Sequence, residues 1–339
     1  MIRLITSPNR RFLLCYCLRA PWSGWRGLQL WSSVLKNKVV WRFLLLALVA
    51  PIFSHAAGEG AATKSPQVAP GKPDAQKATQ AGLAAAGLPI LKSSVALVVD
   101  LIDGQTIYGK NVEHVAPIAS ITKLMTAMVA LDAELPLDDT IVIDQADVDQ
   151  LKHTASRLTV GSGLSRTDML QLALMSSENR AAASLSRAFP GGREAFVAAM
   201  NRKAIELGMF NTRFVDATGL SSDNVSTAQD LAKMVKAAYG YPLIRQFTTS
   251  PSHEVATTRG RSLQFRNSNG LVKNPAWEIG LSKTGFISEA GRCLVMQAQI
   301  AARPVVIVLL DSWGKNTRIG DANRIKKWLE SRVGRKPFG

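Results

Sequence analysis

Residue types that bind metals are scarce in this chain, which has three cysteines and four histidines among 339 residues. The histidines are scattered and form no His-Glu-x-x-His or similar cluster. No arrangement of cysteine and histidine has the spacing of a zinc site. The sequence therefore predicts a protein that works without a metal ion or another cofactor.

Cysteine pairs are also missing from the expected mature chain. Cys15 and Cys17 precede the export segment described below, which leaves Cys293 alone. A single cysteine excludes an intramolecular disulfide. Because Cys293 lies in an apolar run, we expect it to be a small buried core residue.

Acidic side chains are outnumbered by basic ones, and the formal net charge is +16 at pH 7. Eight of the 41 lysines and arginines lie within residues 1–56, which contain no acidic residue, and the rest of the chain has 33 basic and 25 acidic side chains. It lacks the charged stripe and aromatic platforms of a nucleic-acid binder, so we expect no nucleic-acid partner. A mildly basic surface suits an anionic polymer or a membrane surface.

The apolar run at residues 43–53 is short for a membrane span, since crossing a bilayer takes about 20 residues. Basic residues precede this run, and Ser54-His55-Ala56 follows it. The order is typical of a secretory signal, so the sequence predicts a signal peptide with an extended basic N-terminus at 1–56 and a periplasmic location. An uncleaved membrane anchor is the alternative.

Residues 57–92 are rich in Ala, Gly, Pro, Lys and Gln and have few bulky apolar side chains. Such a segment cannot bury enough surface to offset its ordering entropy, so we expect a flexible linker. A folded domain at 93–333 and a short tail at 334–339 complete the predicted organisation.

Predicted strands lie at both ends of the folded domain, with helices between them. The β-branched run Ser94–Leu101, the turn Asp103-Gly104 and Thr106–Tyr108 predict a hairpin. Further strands are predicted at 140–143, 278–283, 292–300 and 304–311, and helices at 167–174, 180–189, 193–207, 226–239 and 321–332. This order predicts an α+β fold, in which one antiparallel sheet is built from both chain ends and flanked by helices, plus a helical subdomain.

Ser120 and Lys123 stand three residues apart at the start of a run with helical apolar spacing. Residues three apart share a helix face, so the Lys123 amine can reach the Ser120 hydroxyl. A serine beside a lysine that can lose its proton is an activated nucleophile. The N-terminus of the helix adds partial positive charge where an oxyanion would form.

Two further short motifs follow this pair along the chain. Neither Ser-x-x-Lys nor Ser-x-Asn is specific alone, because Ser33 and Ser312 also begin Ser-x-x-Lys matches and Ser222-Asp223-Asn224 is a second Ser-x-Asn match. Ser177 is preferred over Ser222 because it ends an amphipathic helix, where a side chain can project into a cleft. The ordered set is Ser120-x-x-Lys123, Ser177-Glu178-Asn179 and Lys283-Thr284-Gly285, and it resembles the serine penicillin-recognising enzymes.

The resemblance narrows to the D-alanyl-D-alanine endopeptidases of the low-molecular-mass penicillin-binding proteins. It rests on Pro117-Ile118-Ala119-Ser120, Leu174–Leu185, Phe265-Arg266-Asn267 and Leu281–Phe286, and it extends over roughly residues 93–331. It implies a β-lactamase/DD-peptidase-like fold. It also implies hydrolysis of D-alanyl cross-links in peptidoglycan through an acyl-enzyme and covalent inhibition by β-lactams.

Four catalytic roles follow from the resemblance. Ser120 would attack the D-Ala carbonyl, and a neutral Lys123, its pKa lowered by desolvation and by the second cation Lys283, would take its proton. Ser177 would relay a proton to the leaving amine. Asn179 would hold the substrate amide and orient Lys123, and the alternative for Asn179 is a plain helix cap.

Substrate binding is implied for five residues near the third motif. Lys283 and Thr284 would bind a carboxylate on an edge strand, and Gly285 would let the substrate backbone approach closely. The backbone N–H groups of Ser120 and Phe286 would form the oxyanion hole. Arg318 would steer a carboxylate.

Two other functions compete with the endopeptidase. A DD-carboxypeptidase that removes the terminal D-Ala would use the same residues, and only whole-domain likeness favours the endopeptidase. A non-catalytic wall-binding or β-lactam-sensing module would have no need of an intact Ser120 and Lys123. The expected partners are peptidoglycan peptide stems and β-lactams, and a loose association with the membrane or with wall enzymes is left open.

Overall fold

The computed structural model of the protein describes residues 87–332. The predicted signal peptide at 1–56, most of the predicted linker at 57–92 and the predicted tail at 334–339 lie outside these residues and stay predictions. In the described part of the chain, no helix combines the length and the apolar character needed to cross a membrane.

Eleven strands and seven helices occur between residues 87 and 332. The strands are β1 (Val95–Asp100), β2 (Thr106–Lys110), β3 (Ala116–Pro117), β4 (Thr140–Val142), β5 (Gly163–Ser165), β6 (Val225–Ser226), β7 (Ser252–Ala256), β8 (Ser262–Arg266), β9 (Glu278–Ile287), β10 (Gly291–Ile300) and β11 (Arg303–Ser312). The helices are α1 (Lys123–Asp132), α2 (Arg166–Met175), α3 (Asn179–Arg187), α4 (Gly192–Glu206), α5 (Ala228–Tyr239), α6 (Pro242–Thr249) and α7 (Thr317–Glu330).

The main sheet has the strand order β2-β1-β11-β10-β9, and every pair in it is antiparallel. Leu97 of β1 lies opposite Val308 of β11, so the two ends of the domain meet at the centre of the sheet. This pairing confirms the predicted α+β fold. Strand β9 is an edge strand, which leaves one side of its backbone without a strand partner.

The sheet buries both of its faces, as its strand sequences require. On one face Ala322, Ile325 and Trp328 of α7 belong to the same buried cluster as Val98 and Ile307 of the sheet. On the other face the helical region between β2 and β9 packs against the alternate strand residues, such as Val295 and Val308. The sheet therefore fixes β9 relative to the helices that carry the rest of the site.

Short sequence signals, such as helix caps and terminators, predicted most of the helix and strand boundaries to within a few residues. Gly208, with φ of +69°, ends α4 as predicted, because a left-handed residue closes a helix without a Cβ clash. The predicted cap of α5 at Ser226 is wrong: the cap is Thr227, whose hydroxyl accepts the Asp230 N–H at 3.2 Å, while Ser226 lies in β6. Helix α6 and the β7–β8 hairpin were not predicted.

Candidate active site

Ser120 lies in a 3₁₀ turn, Ala119–Thr122, that leads directly into α1. Two glycines pack against this turn. A Cβ on Gly219 would stand 2.0 Å from the Ala119 carbonyl oxygen, and one on Gly285 would stand 3.1 Å from the Ser120 nitrogen. The close contact at Gly285 is thus with the chain's own nucleophile turn, and the predicted approach of a substrate backbone there stays a prediction.

Lys123 is fully buried, and its amine has three hydrogen-bond partners. The Nζ atom lies 2.9 Å from Ser120 Oγ, 2.8 Å from Asn179 Oδ1 and 2.6 Å from the Thr218 carbonyl oxygen. The last two atoms can only accept a hydrogen bond. When the amine is neutral, its two N–H bonds serve these acceptors and its lone pair points to the Ser120 hydroxyl.

The protonation of Lys123 is set mainly by its burial. Loss of solvent lowers the pKa of Lys123 to about 8, and the carboxylates of Asp216, Glu178 and Asp149 act in the opposite direction. About one molecule in ten then holds a neutral Lys123 at pH 7. Desolvation therefore lowers the pKa of Lys123, as predicted from the sequence.

Lys283 is the second fully buried lysine of the site. Its Nζ donates hydrogen bonds to Ser177 Oγ at 2.9 Å and to the Thr284 carbonyl oxygen at 3.0 Å. Burial lowers the pKa of Lys283 well below its ordinary value, and the positive charges of Lys123 and Arg318 lower it further. The prediction that Lys283 lowers the pKa of Lys123 is therefore wrong: the repulsion between the two lysines lowers the pKa of Lys283 instead.

Ser177 lies in the short connection from α2 to α3, and Asn179 is the first residue of α3. Ser177 has φ of +63°, a left-handed conformation that is costly for a residue with a side chain and often marks a functional site. The cap of α3 is Glu178, whose carboxylate accepts the Arg180 N–H at 3.3 Å. The alternative that Asn179 is only a helix cap is therefore wrong, and its amide is directed to Lys123 instead.

Asn179 is held in place by residues that were not predicted from the sequence. Asn179 Nδ2 donates to Thr154 Oγ1 at 2.9 Å, and Thr154 Oγ1 donates to Asp149 Oδ2 at 2.8 Å. These bonds orient the amide so that Oδ1 faces Lys123. Thr154 lies in a loop that is separated in sequence from the three motifs, and no local sequence signal indicates its role.

The second Ser-x-Asn match has a structural role behind the nucleophile. Asn224 is fully buried and donates its side-chain N–H to Thr122 Oγ1 at 3.1 Å. Its Oδ1 accepts the Val215 N–H at 2.7 Å. Asn224 therefore connects the nucleophile turn to Val215 and Asp216, whereas Ser177 contacts Lys283.

The remaining predicted residues extend along β9 from Lys283. Thr284 Oγ1 donates to Ser268 Oγ at 2.7 Å, and Phe286 is 54% exposed with the Arg292 guanidinium over its ring. Arg318, in the first turn of α7, places Nη1 3.5 Å from the Gly285 carbonyl oxygen, and its Nε is buried without a partner.

Burial lowers the pKa of Arg318, and the charge of Arg292 adds to this effect. Arg318 therefore presents a desolvated cation beside the Lys283-Thr284-Gly285 strand. The structure thus brings Lys123 and Gly285 to the Ser120 turn, and Asn179 to Lys123. Ser177 contacts Lys283, and Arg318 lies beside Gly285, which is in the same strand as Lys283. The role of the Phe286 N–H in an oxyanion hole stays a prediction.

This chain is similar to known proteins in sequence and in fold. The S11 peptidase family model, described as D-alanyl-D-alanine carboxypeptidase, matches residues 83–314. A D-alanyl-D-alanine endopeptidase of Pseudomonas aeruginosa is 53% identical over 250 residues, which is 73% of this chain and 81% of the relative. A D-alanyl-D-alanine endopeptidase of Escherichia coli is 50% identical over 256 residues, 75% of this chain and 82% of the relative.

The crystal structure of the Streptomyces K15 DD-transpeptidase matches with a TM-score of 0.67 at 27% identity, over 72% of this chain and 98% of that one. The fold is therefore shared along nearly the whole length of this DD-transpeptidase. Taken with the family match, this means that the chain belongs to the S11 family of D-alanyl-D-alanine carboxypeptidases and is a serine-type D-Ala-D-Ala peptidase.

Proposed function

We propose that this protein is a periplasmic DD-endopeptidase that hydrolyses D-alanyl cross-links in peptidoglycan through an acyl-enzyme on Ser120. The observation that carries the proposal is the buried Lys123 amine, 2.9 Å from Ser120 Oγ and held by two acceptors that leave its lone pair for the serine proton. The periplasmic location rests on the signal peptide predicted at 1–56.

The acylation step uses both lysines. Ser120 Oγ bonds to the D-Ala carbonyl carbon while Lys123 takes its proton, and the backbone N–H groups of Ser120 and Phe286 stabilise the oxyanion. The new charge on Lys123 lowers the pKa of Lys283 further, so Lys283 gives a proton through Ser177 to the departing nitrogen. The carbon–nitrogen bond then breaks, and the leaving group departs as an amine.

Deacylation releases the donor stem. Before deacylation, Lys123 loses to solvent the proton that it took from Ser120, and Lys283 regains from solvent the proton that it gave to the amine. A water molecule then attacks the acyl carbonyl and gives its proton to Lys123. The bond to Ser120 Oγ breaks, and Lys123 returns a proton to the serine. β-Lactams follow the first step, and the acyl bond that they form on Ser120 inhibits the protein.

Substrate binding is assigned to the groups that remain available. Asn179 keeps one N–H for the amide of the donor stem, since the other bonds to Thr154. Thr284, with the cations Lys283 and Arg318 beside it, would bind the carboxylate next to the scissile amide. Gly285 keeps β9 close to the nucleophile turn, which places this carboxylate near Ser120.

The relatives support an endopeptidase, because the Pseudomonas aeruginosa and Escherichia coli proteins, at 53% and 50% identity, both have that name. A carboxypeptidase is the second candidate, because the family model has that description. Both reactions use the same acyl-enzyme. They differ in the leaving group, which is a whole peptide stem in one and a single alanine in the other.

The test gives the mature protein a cross-linked muropeptide dimer and a pentapeptide monomer, with Ser120→Ala as the control. We expect the dimer to be converted to monomers and labelled penicillin to attach to Ser120. Release of D-Ala from the pentapeptide without opening of the dimer would instead support the carboxypeptidase. No turnover of either substrate would support a binding or sensing module.

A further inference from the structure

A groove of about 750 Å³ lies beside the connection from α2 to α3, which carries Ser177. One wall is the loop 155–157, and the other is strand β8. Ser176 and Glu178, the neighbours of Ser177 in the chain, line the groove between these walls. The groove therefore adjoins the residue that, in the proposed mechanism, gives a proton to the leaving amine.

Two arginines line this groove. The Arg157 guanidinium lies over the Phe265 ring, 4.0 Å from its centroid, and donates a hydrogen bond to the Gln264 carbonyl oxygen at 2.7 Å. Arg157 therefore ties the two walls together and keeps other N–H groups available. Arg266 is exposed at the end of β8, and its side chain has no hydrogen-bond or ion-pair partner among residues 87–332.

The charge of the groove is positive overall. Arg157 and Arg266 are its cations, and Glu178 is the single carboxylate among the residues that line it. One oxygen of Glu178 already accepts the Arg180 N–H as the cap of α3. The groove therefore suits a ligand that carries carboxylates, which a guanidinium can bind through two parallel hydrogen bonds.

The groove leads to the leaving-group side of the site. Just beyond Arg266, the Ser268 N–H donates to the Met175 carbonyl oxygen at 2.9 Å, and Ser268 Oγ accepts from Thr284 Oγ1 at 2.7 Å. These bonds place the end of β8 beside both Ser177 and the strand assigned to the carboxylate at the scissile amide. A chain that continues from the departing amine would therefore meet Arg266.

We propose that this groove binds the departing peptide stem of a cross-linked substrate, with Arg157 and Arg266 binding carboxylates other than the one beside the scissile amide. The proposal rests on the endopeptidase function. A carboxypeptidase releases one alanine, which has no further peptide to place in the groove. Binding in this groove thus gives the common catalytic site a preference for cross-links.

The test compares Arg266→Ala and Arg266→Lys with the control Arg261→Ala. Arg261 is exposed in the same hairpin region but does not line the groove. We expect Arg266→Ala to lower kcat/KM for the muropeptide dimer about tenfold, the effect of one charge-assisted hydrogen bond, and Arg266→Lys to recover part of it. Arg261→Ala should cleave the dimer at the wild-type rate.

A second substrate separates binding from folding. In the second substrate, the departing stem keeps the carboxylate beside the scissile amide, and its other carboxylates are converted to amides. Wild type and Arg266→Ala should have equal kcat/KM for this dimer. Labelled penicillin, which has no departing stem, should acylate both proteins at similar rates. Double variants that also contain Arg157→Gln should lose more of the dimer activity, and rising salt should reduce the wild-type advantage.

Two outcomes would overturn the proposal, and they are distinguishable. If wild type opens the dimer and Arg266→Ala opens it equally fast, the endopeptidase stands and the groove does not bind the departing stem. If wild type acylates with penicillin but never opens the dimer, both proposals fall, because no departing stem is then available to bind.

Discussion

Lys123 must lose a proton before it can accept the one on Ser120. Because burial lowers the pKa of Lys123 to about 8, the neutral fraction rises with pH up to that value and then levels off. We expect the rate of acylation by labelled penicillin to rise about tenfold per pH unit well below 8 and to stop rising near that value. At higher pH the rate should fall, because Lys283, whose pKa burial also lowers, loses the proton that it gives to the departing nitrogen. The measurement is the second-order acylation rate between pH 5.5 and 9.5.

Variants at Lys123 test the same assignment. Lys123→Met removes the base and should lower the acylation rate by on the order of 10³-fold. Lys123→Arg should be equally impaired, because a guanidinium stays protonated and cannot accept the serine proton. A rate that does not change from pH 6 to pH 8 in the wild-type protein would contradict the role of Lys123 as the proton acceptor.

Thr154 is not one of the proposed catalytic residues, but its hydrogen bond with Asn179 fixes the orientation of the Asn179 amide. Thr154→Val removes the hydroxyl that accepts from Asn179 Nδ2 at 2.9 Å and donates to Asp149 at 2.8 Å. The amide can then rotate away from Lys123, so we expect the acylation rate to fall about tenfold. The measurement is the acylation rate at pH 7, with the unfolding temperature followed in parallel.

The matched control for this prediction is Thr154→Ser, which keeps the hydroxyl and loses one methyl group. It should acylate within about twofold of wild type. Equal rates for the valine and serine variants would show that the bond to Asn179 does not position the catalytic amide.

At the scale of elements, the nucleophile turn depends on a glycine from a distant segment. Gly219 has φ of +78°, and an added Cβ would stand 2.0 Å from the Ala119 carbonyl oxygen. Gly219→Ala should therefore destabilise the protein by about 3–4 kcal/mol and slow acylation, since the turn that carries Ser120 must move. Thermal unfolding and penicillin acylation measure the two effects.

Gly260→Ala is the control that separates conformation from contact. Gly260 has a similar φ of +73°, but an added Cβ would meet nothing within 4 Å. Its substitution should cost about 1–2 kcal/mol from the left-handed backbone alone and leave acylation unchanged. Equal losses of stability in the two variants would mean that the contact with Ala119 has no importance.

The sequence correctly predicted those features of the fold and site that depend on residues close together in the chain. Spacing alone predicted that Lys123 reaches Ser120, and the β-branched run at Ser94–Leu101 predicted β1, because both depend on neighbours in the chain. Thr154 and the Thr218 carbonyl could not be found in this way. Each reaches the site through tertiary folding, from a loop without a local signal, and a backbone carbonyl leaves no trace in residue identity.

At the scale of the whole molecule, the site is divided between two parts of the fold. Ser120, Lys123, Ser177 and Asn179 belong to the helical region, whereas Lys283 comes from the edge of the main sheet. That sheet joins β1 near the start of the domain to β11 near its end. Interactions that hold the two ends of the domain together therefore support the site.

One such interaction joins the beginning of the domain to α7. Asp321 is fully buried and accepts hydrogen bonds from the Ser93 N–H at 2.7 Å, from Ser93 Oγ at 2.6 Å and from the Lys92 N–H at 3.1 Å. It also pairs with Arg324 at 2.6 Å. Substitution would leave the buried Ser93 N–H without a partner.

We expect Asp321→Ala to lower the free energy of unfolding by about 3 kcal/mol, because the three hydrogen bonds from Lys92 and Ser93 and the ion pair with Arg324 are lost and a buried donor stays unpaired. Glu330→Gln, on the same helix, is the control: it breaks only the exposed pair with Lys326 and should cost less than about 0.5 kcal/mol. Denaturant titration measures both variants. If both cost the same small amount, the connection through Asp321 does not stabilise the sheet that carries Lys283, and other contacts must hold the two chain ends together.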